Sequence, residues 1–157
     1  EICACLVGSE MCIRDRDKIA AALNQLGVTD ALVVFGEDGL DEISACGETE
    51  VAELRHGKVE RYTVKPEDFG LTRCTKADLV GGTALENAEI TKNILLGKST
   101  PAQRTAAVLN AGAAIYVAID GLSLKDAMQK AQDVIDDGSA YKKLQAFIRI
   151  TNEEDDQ

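Results

Sequence analysis

The chain has 157 residues, 45% of them hydrophobic, which is enough for one globular domain with its own core. Its formal net charge is −10 and its 17 Lys and Arg residues are dispersed, which argues against a nucleic-acid partner. No apolar run approaches the roughly 20 residues of a membrane helix, so we expect no membrane span and a cytoplasmic location.

Cysteine and histidine usage argues against a zinc site. The five cysteines form no Cys-x-x-Cys pair, and His56 is the single histidine. We expect Cys46 and Cys74 to be small apolar side chains or free thiols, as in a reducing compartment, rather than a structural disulfide.

The first sixteen residues differ from the rest. They contain Cys3, Cys5 and Cys12 and show no clear periodicity, and the run from residue 5 to residue 16 resembles a translated sequencing-adapter artefact. We therefore predict a non-native leader over residues 1–16 and a truncated chain. The alternative is a divergent loop that leads into a helix.

The next segments predict one helix, one strand and a hairpin. Apolar residues at helical spacing predict a helix over residues 17–26, and the continuous apolar run 31–35 predicts a strand that is covered on both faces. The segments 51–54 and 58–64 predict an antiparallel pair that turns at His56-Gly57. Residues 66–70 predict a turn.

The second half of the chain predicts four helices. Their expected ranges are 84–96, 101 to about 119, 123–137 with Ser123 as N-cap, and a last helix that begins at Ser139. We expect the second of them to be buried, and Leu144, Phe147 and Ile148 of the last to point inward. Residues 151–157 read as an acidic tail. The predicted class is α/β, with sheet strands and a hairpin followed by four covering helices.

An acidic turn, residues 38–44, follows the predicted buried strand. Mg²⁺ takes one or two carboxylates and leaves positions for phosphate oxygens, and ligands of α/β sheets bind beyond the carboxyl ends of strands. Asp41 and Glu42 are therefore the candidate metal ligands, and Gly36 and Gly39 would let the backbone approach the ligand. Alternatively, the pair is a solvated turn, or Asp41 caps a helix.

A series of segments in chain order resembles one enzyme family, the anthranilate phosphoribosyltransferases of glycosyltransferase family 3, which share a fold with nucleoside phosphorylases. The similar segments are 33–44, 49–54, 57–59, 66–71, 81–82, 87–88, 94–97, 109–114 and 131–140. On this resemblance, residues 17–150 are the carboxy-terminal part of the catalytic domain. Phe35 stands where the family often has His, and the family's glycine-rich diphosphate loop is not in this sequence.

The resemblance implies an enzyme that transfers phosphoribose from phosphoribosyl pyrophosphate to anthranilate in tryptophan biosynthesis. It also implies Mg²⁺ as cofactor, with Asp41 and Glu42 as its ligands, and a parent homodimer that forms through a domain absent from this sequence. This chain alone is expected to be inactive. The alternatives are a pyrimidine nucleoside phosphorylase-like enzyme and a non-catalytic relative that binds nucleic acid.

Other polar residues are expected to have structural roles. We interpret His56 as a solvated turn residue and Gly81-Gly82 as a turn, because the P-loop's Lys-Ser/Thr does not follow the glycines. For Arg104 and Asn110, capping or packing is favoured over ligand contact.

Overall fold

A computed structural model describes residues 13–152 of the chain. Within that range it forms five α-helices and a three-stranded antiparallel sheet, which confirms the predicted α/β class. The elements in chain order are α1 (Ile13–Gln25), β1 (Asp30–Gly36), β2 (Thr49–Arg55), β3 (Lys58–Val64), α2 (Ala84–Leu95), α3 (Pro101–Ala118), α4 (Leu124–Asp136) and α5 (Ser139–Asn152). Two short 3₁₀ helices, Pro66–Phe69 and Lys76–Leu79, connect β3 to α2.

Helix α1 begins at Ile13 rather than at residue 17, so it includes the end of the predicted leader. Arg16 is only 4% exposed, because its guanidinium pairs with Glu50 and lies over the ring of Phe35, 5.4 Å from the ring centre. Phe35 is half-buried at this place. The non-native origin of residues 1–16 stays a prediction, and residues 1–12 and 153–157 lie outside the described part of the chain.

The sheet has the order β1-β2-β3 and is covered on both faces. One face carries Leu32, Val51 and Val64, which pack in one core cluster with residues of α3 and α4. On the opposite face, Val33 and Ala52 pack against α1 in a second cluster. Alternation of side chains along each strand produces the two faces, and the predicted double coverage of β1 is confirmed.

The hairpin between β2 and β3 turns at His56 and Gly57, as predicted. Both residues have positive φ, 49° and 77°, the geometry of a type I′ turn, whose twist matches that of the flanking strands. The register pairs Arg55 with Lys58 across the turn. The turn therefore fixes which side chains of β2 face α3.

Helices α3 and α4 form the centre of the larger core. Val108, Leu109 and Met128 are at most 1% exposed. A Cβ on Gly112 would lie 2.9 Å from the Cα of Met128, so the two helices can approach this closely only with glycine there. Ser123 caps α4 as predicted, its Oγ accepting a hydrogen bond from the Asp126 N–H at 3.1 Å. Helix α3 is buried along one side only, since Ala111, Ala114 and Ala118 are exposed.

The predicted orientation of α5 is wrong in part. Phe147 is 63% and Ile148 50% exposed, whereas Leu144 is half-buried. Helix α5 packs against α4 and α2, and no described element covers its other side. Residues 151 and 152 of the predicted acidic tail belong to this helix. No helix within residues 13–152 has both the length and the apolarity that crossing a membrane requires.

Candidate metal and phosphate site

The acidic turn begins where β1 ends, and two glycines shape it. The Gly36 N–H donates to the Leu40 carbonyl at 3.0 Å, and the Gly39 N–H donates back to the Gly36 carbonyl at 2.9 Å. Gly39 has φ 84°, and a Cβ on Gly36 would lie 2.5 Å from Oδ1 of Asp38. Both glycines are therefore needed for the turn itself to close. We had predicted from the sequence that they would let the backbone approach a ligand.

The Asp38 carboxylate is used inside the turn. Oδ2 of Asp38 accepts a hydrogen bond from the Ser44 hydroxyl at 2.7 Å, and Ser44 Oγ accepts the N–H groups of Cys46 and Gly47, both at 3.0 Å. Thr49 Oγ1 accepts the Ser44 N–H at 2.8 Å. Ser44 and Thr49 are buried, so the bond between them is shielded from water and ties the turn firmly to the start of β2.

Asn110 of α3 holds the other side of the turn. Its Oδ1 accepts the Ile43 N–H at 2.9 Å, and its Nδ2 donates to the Ile43 carbonyl at 3.1 Å. A third bond, from Nδ2 to the Ala106 carbonyl at 3.0 Å, fixes the amide to its own helix. The interpretation of Asn110 as a structural residue is thus correct, but the segment that it supports is the acidic turn.

The candidate ligands Asp41 and Glu42 lie at the exposed edge of this turn. No hydrogen bond or ion pair holds either carboxylate within the described part of the chain. Partial desolvation, and then the nearby charges of Asp41 and Asp38, raise the pKa of Glu42 above its ordinary value. Two carboxylates without an ion-pair partner among residues 13–152, on a backbone that is held in place, fit the carboxylate set that Mg²⁺ takes.

A second acidic group lies at the opposite end of β1. Possible ligand atoms of Asp30, His56 and Asp120 lie within 4.8 Å of one another. The Arg55 guanidinium is already there, with Nε 3.2 Å from Asp30 and Nη2 3.9 Å from Asp120, so its positive charge compensates the carboxylates. His56 is exposed, as expected of a solvated turn residue.

A third polar group lies between β2, β3 and α3, where the Glu53 carboxylate accepts hydrogen bonds from two tyrosines. Its Oε1 accepts the Tyr116 hydroxyl at 2.6 Å and its Oε2 accepts the Tyr62 hydroxyl at 2.9 Å. The Arg55 guanidinium stacks on the Tyr116 ring, 4.5 Å from its centre, and donates to the Tyr116 oxygen at 2.8 Å. Burial and the bond to Glu53 raise the pKa of both tyrosines, that of Tyr116 to about 12.

The two cysteines named in the sequence lie behind the acidic turn. Cys46 and Cys74 are free thiols whose sulfur atoms are 3.6 Å apart. The Cys74 N–H donates to the Ala45 carbonyl at 2.9 Å, and burial together with Cys46 raises the pKa of Cys74 to about 11. At that pKa Cys74 is a neutral thiol at physiological pH, so it packs against the turn as an uncharged side chain.

The remaining candidates have the structural roles expected of them. Arg104 pairs with Asp136 of α4, with Nη2 2.8 Å from Oδ1. The space beside Gly81 and Gly82 is occupied by the side chains of Asn87 and Glu86 at the start of α2. Sequence reasoning missed the bonds that hold the turn in place, made by Ser44, Thr49 and Asn110, and the contact of Lys76, whose Nζ donates to the Asp38 carbonyl at 2.6 Å. These contacts have no sequence pattern of their own, although Asn110 lies in a segment that resembles the family.

Comparison with known proteins places the chain in one family. Residues 14–141 match the family model described as "Glycosyl transferase family, a/b domain". The chain is 50% identical over 134 residues to the anthranilate phosphoribosyltransferase of Methanobrevibacter smithii, a match that covers 85% of this chain and 40% of that protein. The chain thus spans about 40% of the length of this curated relative.

Solved structures agree with this assignment. The anthranilate phosphoribosyltransferase of Thermus thermophilus superposes with a TM-score of 0.79 at 35% identity, over 88% of this chain and 40% of that one. The enzyme of Saccharomyces cerevisiae in complex with PRPP and Mg has a TM-score of 0.78 over the same shares, and its 24% identity shows the fold alone. The chain therefore belongs to the glycosyl transferase family, and its residues 14–141 match the α/β domain of that family.

Proposed function

We propose that this chain forms one wall of the active site of an anthranilate phosphoribosyltransferase, which transfers phosphoribose from phosphoribosyl pyrophosphate to the amino group of anthranilate. Because the chain spans about 40% of its relatives' length, the activity is proposed for the complete protein. The observation that carries the proposal is the turn of Asp41 and Glu42, two exposed carboxylates without a partner among the described residues, in a chain 50% identical to such an enzyme.

Asp41 and Glu42 would hold the Mg²⁺ in the proposed reaction. The metal would supply positive charge to the diphosphate that leaves when the ribosyl bond breaks. The protein's own contribution is to keep the two carboxylates together at the surface, while Ser44, Thr49 and Asn110 hold the backbone beneath them. The yeast enzyme, whose fold this chain shares, was solved with PRPP and Mg, which supports the cofactor and the donor.

The acceptor amine is itself a nucleophile, so the proposed reaction needs no covalent protein nucleophile. This agrees with the site, because the thiol of Cys74 is neutral and lies behind the turn. No feature of residues 13–152 favours a nucleoside phosphorylase or a nucleic-acid binder. The homodimer, the cytoplasmic location and the lack of a nucleic-acid partner stay predictions.

A chimaera tests the proposed activity. Residues 17–150 would replace the matching part of the Methanobrevibacter smithii enzyme, and anthranilate consumption would be followed with phosphoribosyl pyrophosphate and Mg²⁺. We expect Mg²⁺-dependent turnover from the chimaera and none from the 157-residue chain alone. A folded chimaera that consumes no anthranilate would overturn the proposal, and so would cleavage of a nucleoside with phosphate in place of this reaction.

A further inference from the structure

We propose that Asn110 is a positioning residue for the metal ligands Asp41 and Glu42, an inference that rests on the proposed function. Asn110 touches neither carboxylate. It acts through the backbone of Ile43, the residue that directly follows Glu42 in the chain.

The contact is a pair of hydrogen bonds from one amide to one residue. Asn110 accepts the Ile43 N–H at 2.9 Å and donates to the Ile43 carbonyl at 3.1 Å. Because both polar groups of the Ile43 backbone are engaged, rotation of the peptide planes on either side of Ile43 breaks at least one bond. One of these planes includes the carbonyl of Glu42. The two bonds, which we call the clamp, therefore restrict the orientation of the Glu42 side chain.

The clamp is attached to a rigid support. Val108 and Leu109, the two residues before Asn110, are fully buried in the core. The bond from Nδ2 to the Ala106 carbonyl, 3.0 Å, fixes the amide on the helix. Ile43 is also held by its own side chain, which is 2% exposed and packs in the core cluster. Ile43 is thus the point at which the exposed carboxylates are connected to the core.

A second attachment holds Ser44, the residue after Ile43. Its N–H donates to Thr49 of β2, and its hydroxyl donates to Asp38 and closes the loop on itself. Only Asn110 connects the described part of the turn to α3 by hydrogen bonds from a side chain. Removal of its amide should therefore loosen residues 41–43 while the fold around them remains.

Hydrogen exchange of the 157-residue chain tests the clamp without any ligand. Asn110→Leu keeps the shape of the side chain and removes all three bonds, while Asn110→Asp keeps an acceptor for the Ile43 N–H. We expect the Ile43 amide to exchange at least about tenfold faster in Asn110→Leu than in the unchanged chain, with Asn110→Asp between them. The matched control is Thr105→Val on the same helix, which removes the bond from Thr105 to the Thr72 carbonyl at 3.4 Å.

Metal binding is the second readout, with Mn²⁺ alone as the probe. Paramagnetic broadening of the Asp41 and Glu42 amide signals would be followed as Mn²⁺ is titrated into the 157-residue chain. Loss of an outer contact to a metal ligand typically weakens binding by about 10–100-fold, and we expect the lower end of that range for Asn110→Leu. Thr105→Val should bind Mn²⁺ as the unchanged chain does.

The double variant Asp41→Asn with Glu42→Gln separates two ways of failing. If it leaves the broadening unchanged, the metal site of the proposed function is wrong. If it removes the broadening while Asn110→Leu matches Thr105→Val in both exchange and Mn²⁺ affinity, the positioning role is wrong and the metal site stands. Faster exchange in Asn110→Leu with weaker Mn²⁺ binding supports the inference.

Discussion

The Glu53 cluster and the acidic turn both place carboxylates beside the same sheet, but they hold them in opposite ways. At Glu53 both carboxylate oxygens accept tyrosine hydroxyls and the Arg55 guanidinium is 3.8 Å away, so the side chain itself is saturated. At Asp41 and Glu42 the carboxylates have no partner among the described residues, and the hydrogen bonds hold the backbone instead. The first arrangement is typical of a group that stabilises the fold, the second of a group that binds a cation.

The electrostatic consequences differ in the same way. The Glu53 charge is stabilised by two hydroxyl donors and one guanidinium, at a side chain that is 12% exposed. In the turn, partial desolvation and then the neighbouring negative charges raise the pKa of Glu42, a direction that a bound cation would oppose. Unsatisfied carboxylates on a fixed backbone therefore identify a binding site better than the number of acidic residues does.

Removal of the turn's two carboxylates should have the largest effect. In the chimaera, Asp41→Asn with Glu42→Gln removes the charges that hold Mg²⁺, and metal stabilisation of a phosphate leaving group is worth several kcal/mol. We expect turnover to fall on the order of 10²–10³-fold, measured as anthranilate consumption across a Mg²⁺ titration. Glu37→Gln, at an exposed acid in the same loop, is the control and should stay within about twofold. Unchanged Mg²⁺ dependence in the double variant would remove the distinction between the two clusters.

Removal of the Glu53 carboxylate should lower the stability of the fold and leave metal binding unchanged. Glu53→Ala leaves two half-buried tyrosine hydroxyls without their acceptor and removes one of the carboxylates beside the Arg55 guanidinium, at a cost of about 2–4 kcal/mol in the free energy of unfolding. Urea unfolding of the 157-residue chain measures this cost. Glu60→Ala, at the exposed partner of Glu53 across the β2–β3 pair, should cost less than about 0.5 kcal/mol. Equal costs for the two variants would show that the Glu53 network does not stabilise the fold.

The sequence predicted the elements whose signals are local. The strand of β1, the His56-Gly57 hairpin and α4 each carry an unbroken apolar pattern with a turn or cap residue beside it, so their positions were predicted within a few residues. The position of Asp41 and Glu42 after a buried strand was predicted for the same reason.

The parts that the sequence could not supply depend on distant contacts. Asn110 and Ile43 are 67 residues apart, and a side-chain bond to a backbone has no periodicity to detect. In α5, periodicity shows that Phe147 and Ile148 lie on an apolar face, but it cannot show whether another element covers that face. The start of α1 was placed too late because residues 1–16 show no clear periodicity and were interpreted as a leader, although Arg16 is buried and its guanidinium pairs with Glu50.

High pH should weaken the Glu53 cluster. The pKa of Tyr116 in the folded chain is raised to about 12, above the ordinary value of about 10. Its contribution to stability is therefore complete below pH 10 and is lost as the pH rises through about 12. Urea midpoints between pH 8 and 11.5 should fall more steeply for the unchanged chain than for Tyr116→Phe, which shares every lysine. Parallel curves would show that the Tyr116 proton does not contribute.

The smallest effect on Mn²⁺ affinity is expected from removal of Lys76. Its positive charge lies beside the turn, as the Arg55 charge lies beside Glu53. Its ammonium donates to the carbonyl of Asp38 at 2.6 Å and not to a carboxylate. Because Lys76 is exposed, its removal should lower the free energy of unfolding by at most about 0.5 kcal/mol. Lys76→Met should therefore change the Mn²⁺ affinity of the 157-residue chain by no more than about threefold, as judged by broadening of the Glu42 signal. Lys58→Met, in the hairpin at the far end of the sheet, gives the same change in net charge and should leave the affinity unchanged. A tenfold tightening in Lys76→Met alone would mean that Lys76 neutralises Asp41 and Glu42. The turn would then be a satisfied cluster like that of Glu53, and a metal would have to displace the lysine in order to bind.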